Sequence, residues 1–130
     1  EQIGSPDEIY ENPASAFVAG FIGESSALPV HIADGKVTFE GQPLDVAVSG
    51  VTGYRTLVFR PHDVTVAGDR PGAIVGSVLA ERRHGAARRL DLEVGAARHR
   101  IEVDLPADQQ RAKKGDRVGI VPTKWWLFTA

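Results

Sequence analysis

The strictest constraint on this chain is a period of two. Leu90, Leu92 and Val94 are separated by Asp91 and Glu93, and Ile101, Val103 and Leu105 by Glu102 and Asp104. Alternation of this kind places all the apolar residues on one face of a strand and all the charges on the other. No helix can use it, because a helical face repeats near 3.6 residues. Between such runs the sequence supplies turn chemistry, in Asp34-Gly35, Gly41-Gln42-Pro43, Arg83-His84-Gly85-Ala86-Ala87 and Gly115-Asp116. Strands are therefore expected over 29–32, 36–39, 44–48, 54–60, 64–66, 74–82, 88–94, 101–105, 118–121 and 124–128. Short strands with breaks roughly every ten residues favour a small β-barrel or sandwich over any α/β arrangement.

The first 27 residues read differently. They hold five acidic side chains and no Lys or Arg, whereas the rest of the chain carries 12 acidic and 15 basic residues. Ser5-Pro6-Asp7-Glu8 has the residues of a capped helix start, and Asn12-Pro13 restarts the signal. Phe17, Val18, Phe21 and Ile22 then follow at helical spacing up to a stop at Gly23. Two short helices are expected, with Phe17 and Phe21 on a face that must be buried against another surface. The boundary falls between residues 27 and 28.

Composition removes several classes. At 42% hydrophobic and 25% charged residues the chain is ordinary for a folded globular protein, which argues against disorder. It has no cysteine, so disulfides and thiolate metal sites are excluded. The histidines at 31, 62, 84 and 99 show no metal spacing, and no metal site is expected. No apolar run approaches the length of a membrane span, and the acidic N-terminus does not resemble an export signal. A cytoplasmic protein is expected. The missing methionine, at position 1 as elsewhere, suggests a start inside a longer chain, with initiator processing as the alternative.

Three places concentrate chemistry. At Thr56-Leu-Val-Phe-Arg-Pro-His-Asp63 a strand must stop at Pro61, which has no N–H for a ladder, and Arg60, His62 and Asp63 gather at that stop. They form either a contact for an oxyanion or effector, or a proline corner held by its own charges. Arg82, Arg83, Arg88, Arg89, Arg98 and Arg100, with His84 and His99, make the densest basic stretch. Interleaved carboxylates and the lack of nearby aromatic residues favour paired charges over a nucleic-acid track. Trp125 and Trp126 point to opposite faces of the last strand, one sealing the core and the other packing on the leading helices or a partner. No nucleophile stands at a recognisable spacing, and no catalytic residue is expected.

The run Gln2-Ile-Gly-Ser-Pro-Asp-Glu-Ile-Tyr10, then Asn12-Pro13-Ala14, then Phe17-Val-Ala-Gly-Phe-Ile-Gly23 resembles the joint between the ATPase domain and the C-terminal domain of ABC import ATPases. That family includes maltose-type and sulfate-type importers. Arg60-Pro61-His62-Asp63 and Gly115-Asp116-x-Val118 are similar to the TOBE-type barrel that follows the joint, and the histidine at 62 leans towards the sulfate or thiosulfate branch. The resemblance implies a mainly β, OB-like or TOBE-like barrel of short antiparallel strands over 28–130, preceded by the end of an ATP-binding domain over 1–27. It implies an accessory or regulatory role in an importer subunit that uses ATP and Mg, pairs with a second copy and docks on a membrane permease from the cytoplasmic side. The chain has no Gly-x-x-x-x-Gly-Lys-Ser/Thr loop, so it is not expected to hydrolyse ATP itself or to hold a cofactor. After Gly23, Ser25-Ser26-Ala27 departs from the asparagine usual in the family. The competing expectation is a free-standing OB-like module that binds a small oxyanion or nucleic acid.

Overall fold

A computed structural model describes residues 2–3, 25–108 and 112–129. The two helices expected before Gly23, with Phe17 and Phe21, lie outside the described residues. Within them the chain forms strands β1 (Gln2–Ile3), β2 (Ser26–Ala33), β3 (Lys36–Phe39), β4 (Gln42–Ala47), β5 (Gly53–Phe59) and β6 (Val64–Val66). They are followed by β7 (Ile74–His84), β8 (Ala87–Val94), β9 (His99–Pro106), β10 (Arg117–Pro122) and β11 (Trp126–Thr129). Two sheets result, one ordered β1-β11-β5-β2-β3-β4 and the other β6-β10-β7-β8-β9, and every named pair is antiparallel.

The alternating residues decide where the sheets meet. Leu90, Leu92 and Val94 on β8 and Ile101, Val103 and Leu105 on β9 are all buried, in one cluster with Leu28, Ile32 and Leu57 of the other sheet. The intervening charges stay on the far face. Each fully buried aliphatic side chain contributes about 1.5–3 kcal/mol against exposure, so this shared core is the main force joining the sheets. Asp34-Gly35 makes the β2–β3 turn with φ of 53° and 76°, the left-handed pair that a two-residue hairpin needs.

Among the described residues the expected closed barrel does not form. The second sheet ends at β9, and no strand of the first sheet pairs with it. Polar groups meet that edge instead: the Glu102 N–H donates to Ser26 Oγ at 2.9 Å, the Ser26 hydroxyl lies 3.4 Å from the Glu102 carbonyl, and the Asp104 N–H donates to the Pro61 carbonyl at 2.8 Å. The physical reason is local. Pro61 can accept a hydrogen bond but cannot donate one, so the stretch after β5 satisfies single groups of β9 without extending a ladder along it. Ser26→Ala should lower stability by about 1–2 kcal/mol, because it removes the one hydroxyl that meets both the N–H and the carbonyl of the part-buried Glu102 backbone. An unchanged denaturation midpoint would show that the hydroxyl contributes nothing.

Candidate binding surfaces

The corner after β5 is built as a tight turn. Strand β5 ends at Phe59, the Asp63 N–H donates back to the Arg60 carbonyl at 3.0 Å, and the Asp63 carbonyl accepts from Thr123 N–H at 2.8 Å. Those bonds fix the backbone and leave the side chains to diverge. Arg60 lies over the Trp126 ring, 4.8 Å from its centroid, a cation–π stack. His62, with its side chain 66% exposed, pairs only loosely with Asp63 at 3.7 Å. The structure thus brings His62 and Asp63 together and sends Arg60 to another neighbour.

Trp125 and Trp126 do face opposite ways. Trp125 is half-buried and packs against the main core, whereas Trp126 forms a second cluster with Val58 and Phe128, on the other face of the six-stranded sheet. All three members of that cluster are at most 1% exposed. The indole Nε1 of Trp126 is buried without a hydrogen-bond acceptor among the described residues. The signal for this second core is in the sequence, though alternation hides it: Leu57-Val58-Phe59 and Trp126-Leu127-Phe128 are continuous apolar runs, as expected of strands covered on both faces.

On the far face of β7, β8 and β9 the basic stretch is knitted to carboxylates. Arg89, 3% exposed, donates from Nε to Asp104 Oδ1 at 2.7 Å and from Nη2 to Asp104 Oδ2 at 2.9 Å. Arg82 donates to both oxygens of Asp91 at 3.0 Å and to Glu102 Oε2 at 3.2 Å. The hydrogen bond to Asp91 is the first cause that raises the Arg82 pKa above the usual guanidinium range; desolvation opposes it, and the charge of Asp91 and Glu102 adds to it. These guanidinium groups are spent on their own sheet, which leaves little for a polyanion.

A cleft of about 730 Å³ opens between the β3–β4 hairpin and the loop before β7, rimmed by Glu40, Asp69, Arg70, Glu93 and Arg117. Its two cations are each tied to an acid, Arg70 to Asp45 at 3.3 Å and Arg117 to Asp69 at 3.1 Å. Glu40, in a left-handed conformation, turns its carboxylate onto the Ala96 N–H at 3.0 and 3.1 Å. That contact was not legible from the sequence, since glutamate is not a usual residue for such a turn. Among the described residues no group of His, Asp and Glu could hold a metal ion, and no helix is long and apolar enough to cross a membrane.

Comparison with known proteins gives a consistent result. Residues 68–123 match the model of a TOBE-like domain. A sulfate/thiosulfate import ATP-binding protein of Brucella melitensis is 46% identical over 131 residues, covering 100% of this chain and 36% of the relative. Proteins of the same description from Rhizobium meliloti and Rhodopseudomonas palustris are each 44% identical, cover 98% of this chain, and are themselves covered to 37%. The chain spans little more than a third of the length of these relatives.

Proposed function

We propose, for a chain that carries a TOBE-like domain and is homologous to part of the sulfate/thiosulfate import ATP-binding proteins, the role of accessory and regulatory domain in such a subunit. The observation that carries this reading is coverage: relatives match the chain from end to end, so the leading segment and the β domain come as one block. In the parent subunit, ATP and Mg would be handled by residues outside this chain. A second copy of the subunit and a membrane permease on the cytoplasmic side would be its partners.

The leading segment has a natural place in this scheme. Strand β1 lies beside β11, and β2 lies beyond β5, in the six-stranded sheet. The main core fills one face of that sheet, and the other carries Val58, Trp126 and Phe128. For the joint to the ATP-binding domain we propose Trp126 on this second face, with Trp125 holding the core beneath it, and Phe17 and Phe21, which lie outside the described residues, as further interface residues. The Arg60–Asp63 corner then acts chiefly as the hinge post of the joint. An oxyanion or effector contact, expected of Arg60, His62 and Asp63, would be a secondary role and would rest on His62 and Asp63, since Arg60 is stacked on Trp126.

The test is a chimera. The matching third of the Brucella melitensis relative is replaced by this chain, and sulfate uptake is measured in cells that lack their own ATP-binding subunit. Uptake within about threefold of the parent is expected, since the homologous block brings its own core and joint. A chimera that is folded and hydrolyses ATP but restores no uptake would overturn the assignment.

A further inference from the structure

We infer that the cleft between the β3–β4 hairpin and the loop before β7 binds a small zwitterion, a free α-amino acid with an apolar side chain, through Arg117, Ser77 and Glu93. The register carries the argument. Arg117 on β10 stands directly opposite Ser77 on β7, and Ser77 stands directly opposite Glu93 on β8. Residues paired in this way share a face, so a guanidinium, a hydroxyl and a carboxylate form one row, and all three residues line the cleft. The row is not closed on itself. Arg117 donates to Asp69 through Nε alone, at 3.1 Å, and neither of its Nη groups makes a hydrogen bond among the described residues. The Ser77 hydroxyl and the Glu93 carboxylate have no hydrogen-bond or ion-pair partner among those residues either. Arg100, opposite Glu93 on its other side, is exposed and forms no ion pair with it.

The spacing and the signs of charge select the ligand. Arg117 and Glu93 stand two strand spacings apart, about 10 Å, and a head group held by hydrogen bonds of about 3 Å on either side spans that gap. An ammonium fits between the Glu93 carboxylate and Ser77 Oγ, and a carboxylate takes the Arg117 fork. A single charge suits the cleft less well. Glu40, Asp69 and Glu93 line it and oppose a lone anion, whereas Arg70 and Arg117 oppose a lone cation. The volume of about 730 Å³ is that of a small-ligand site. Phe39, Leu44 and Pro71 line the same space, and their apolar surface favours a leucine-like side chain over glycine.

The site goes beyond the importer role and does not depend on it, because its ligand carries both charges and is not the transported oxyanion. The test is an amide NMR titration of the 130-residue chain with L-leucine, with isocaproate, which keeps only the carboxylate, and with isoamylamine, which keeps only the ammonium. Saturable binding of L-leucine with a Kd of about 1 mM is expected, and each one-charge analogue should bind about tenfold more weakly. The shifts should centre on the amides of Ser77, Glu93 and Arg117. Glu93→Gln and Arg117→Gln should each weaken L-leucine about tenfold, with circular dichroism checking that both variants keep the fold. The analogues read the two charges independently of any variant. No saturable shift with L-leucine, an analogue that binds as tightly, or unchanged affinity in both variants overturns the site. Glycine binding as tightly as L-leucine supports the charged row and overturns the apolar preference.

Discussion

Trp126→Ala is expected to lower stability by about 3–5 kcal/mol, the range for truncating a large buried aromatic, and the melting temperature by roughly 10 °C. The side chain is 1% exposed and forms its own cluster with Val58 and Phe128, so the hole cannot be filled from the main core on the opposite face. The loss also removes the ring on which the Arg60 guanidinium rests. Trp126→Phe should behave very differently. It keeps most of the apolar surface and deletes an indole N–H that is buried without an acceptor among the described residues, a group whose desolvation costs about 1–3 kcal/mol. A cost below about 1.5 kcal/mol is therefore expected for the phenylalanine variant. Thermal and urea unfolding of both variants settles the point: equal losses would mean that the indole N–H is satisfied in solution and that shape alone matters.

The second large effect is expected at the Arg89–Asp104 pair. Asp104→Ala leaves a guanidinium that is 3% exposed without its bidentate partner, and removing one member of a buried ion pair costs about 3–5 kcal/mol. Glu102 Oε1, 3.5 Å from Arg89 Nη1, offers partial compensation and should place the loss at the lower end of that range. The double variant Arg89→Met/Asp104→Leu should recover most of the stability, because it removes both desolvation penalties and keeps the volume. If the double variant is as unstable as Asp104→Ala, the pair is required for the fold rather than tolerated by it. Chemical denaturation reads both outcomes.

These two sites mark where reading the sequence succeeded and where it stopped. The alternation in β8 and β9 announced which residues face the core, and Asp34-Gly35 announced its own turn, because both signals are local. The pairing of arginines with interleaved carboxylates was also legible, since residues two apart on a strand share a face. Closure was not. Whether β9 meets a strand or a lone hydroxyl depends on Ser26, distant in sequence, and on a proline carbonyl whose direction only the assembled corner fixes. The divergence of Arg60 from His62 and Asp63 has the same origin: adjacency in sequence brought three polar residues together, and the turn then aimed them apart. The opposite facing of Trp125 and Trp126 was legible, but not that Val58 and Phe128 join Trp126 in a second core, since alternation rules find one buried face and overlook strands with two.

The edge of β9 has a bearing on how this protein avoids its own kind. A strand at the end of a sheet is a template on which another chain can grow, and protected edges are a common defence against such association. Here the outward amides at Glu102 and Asp104 are already occupied, one by a serine hydroxyl and the other by a proline carbonyl. An intruding strand would find the donors it needs engaged and, on the competing side, a residue unable to donate. The same two contacts that stop the sheets from closing into a barrel thus keep an eight-residue edge from recruiting a neighbour.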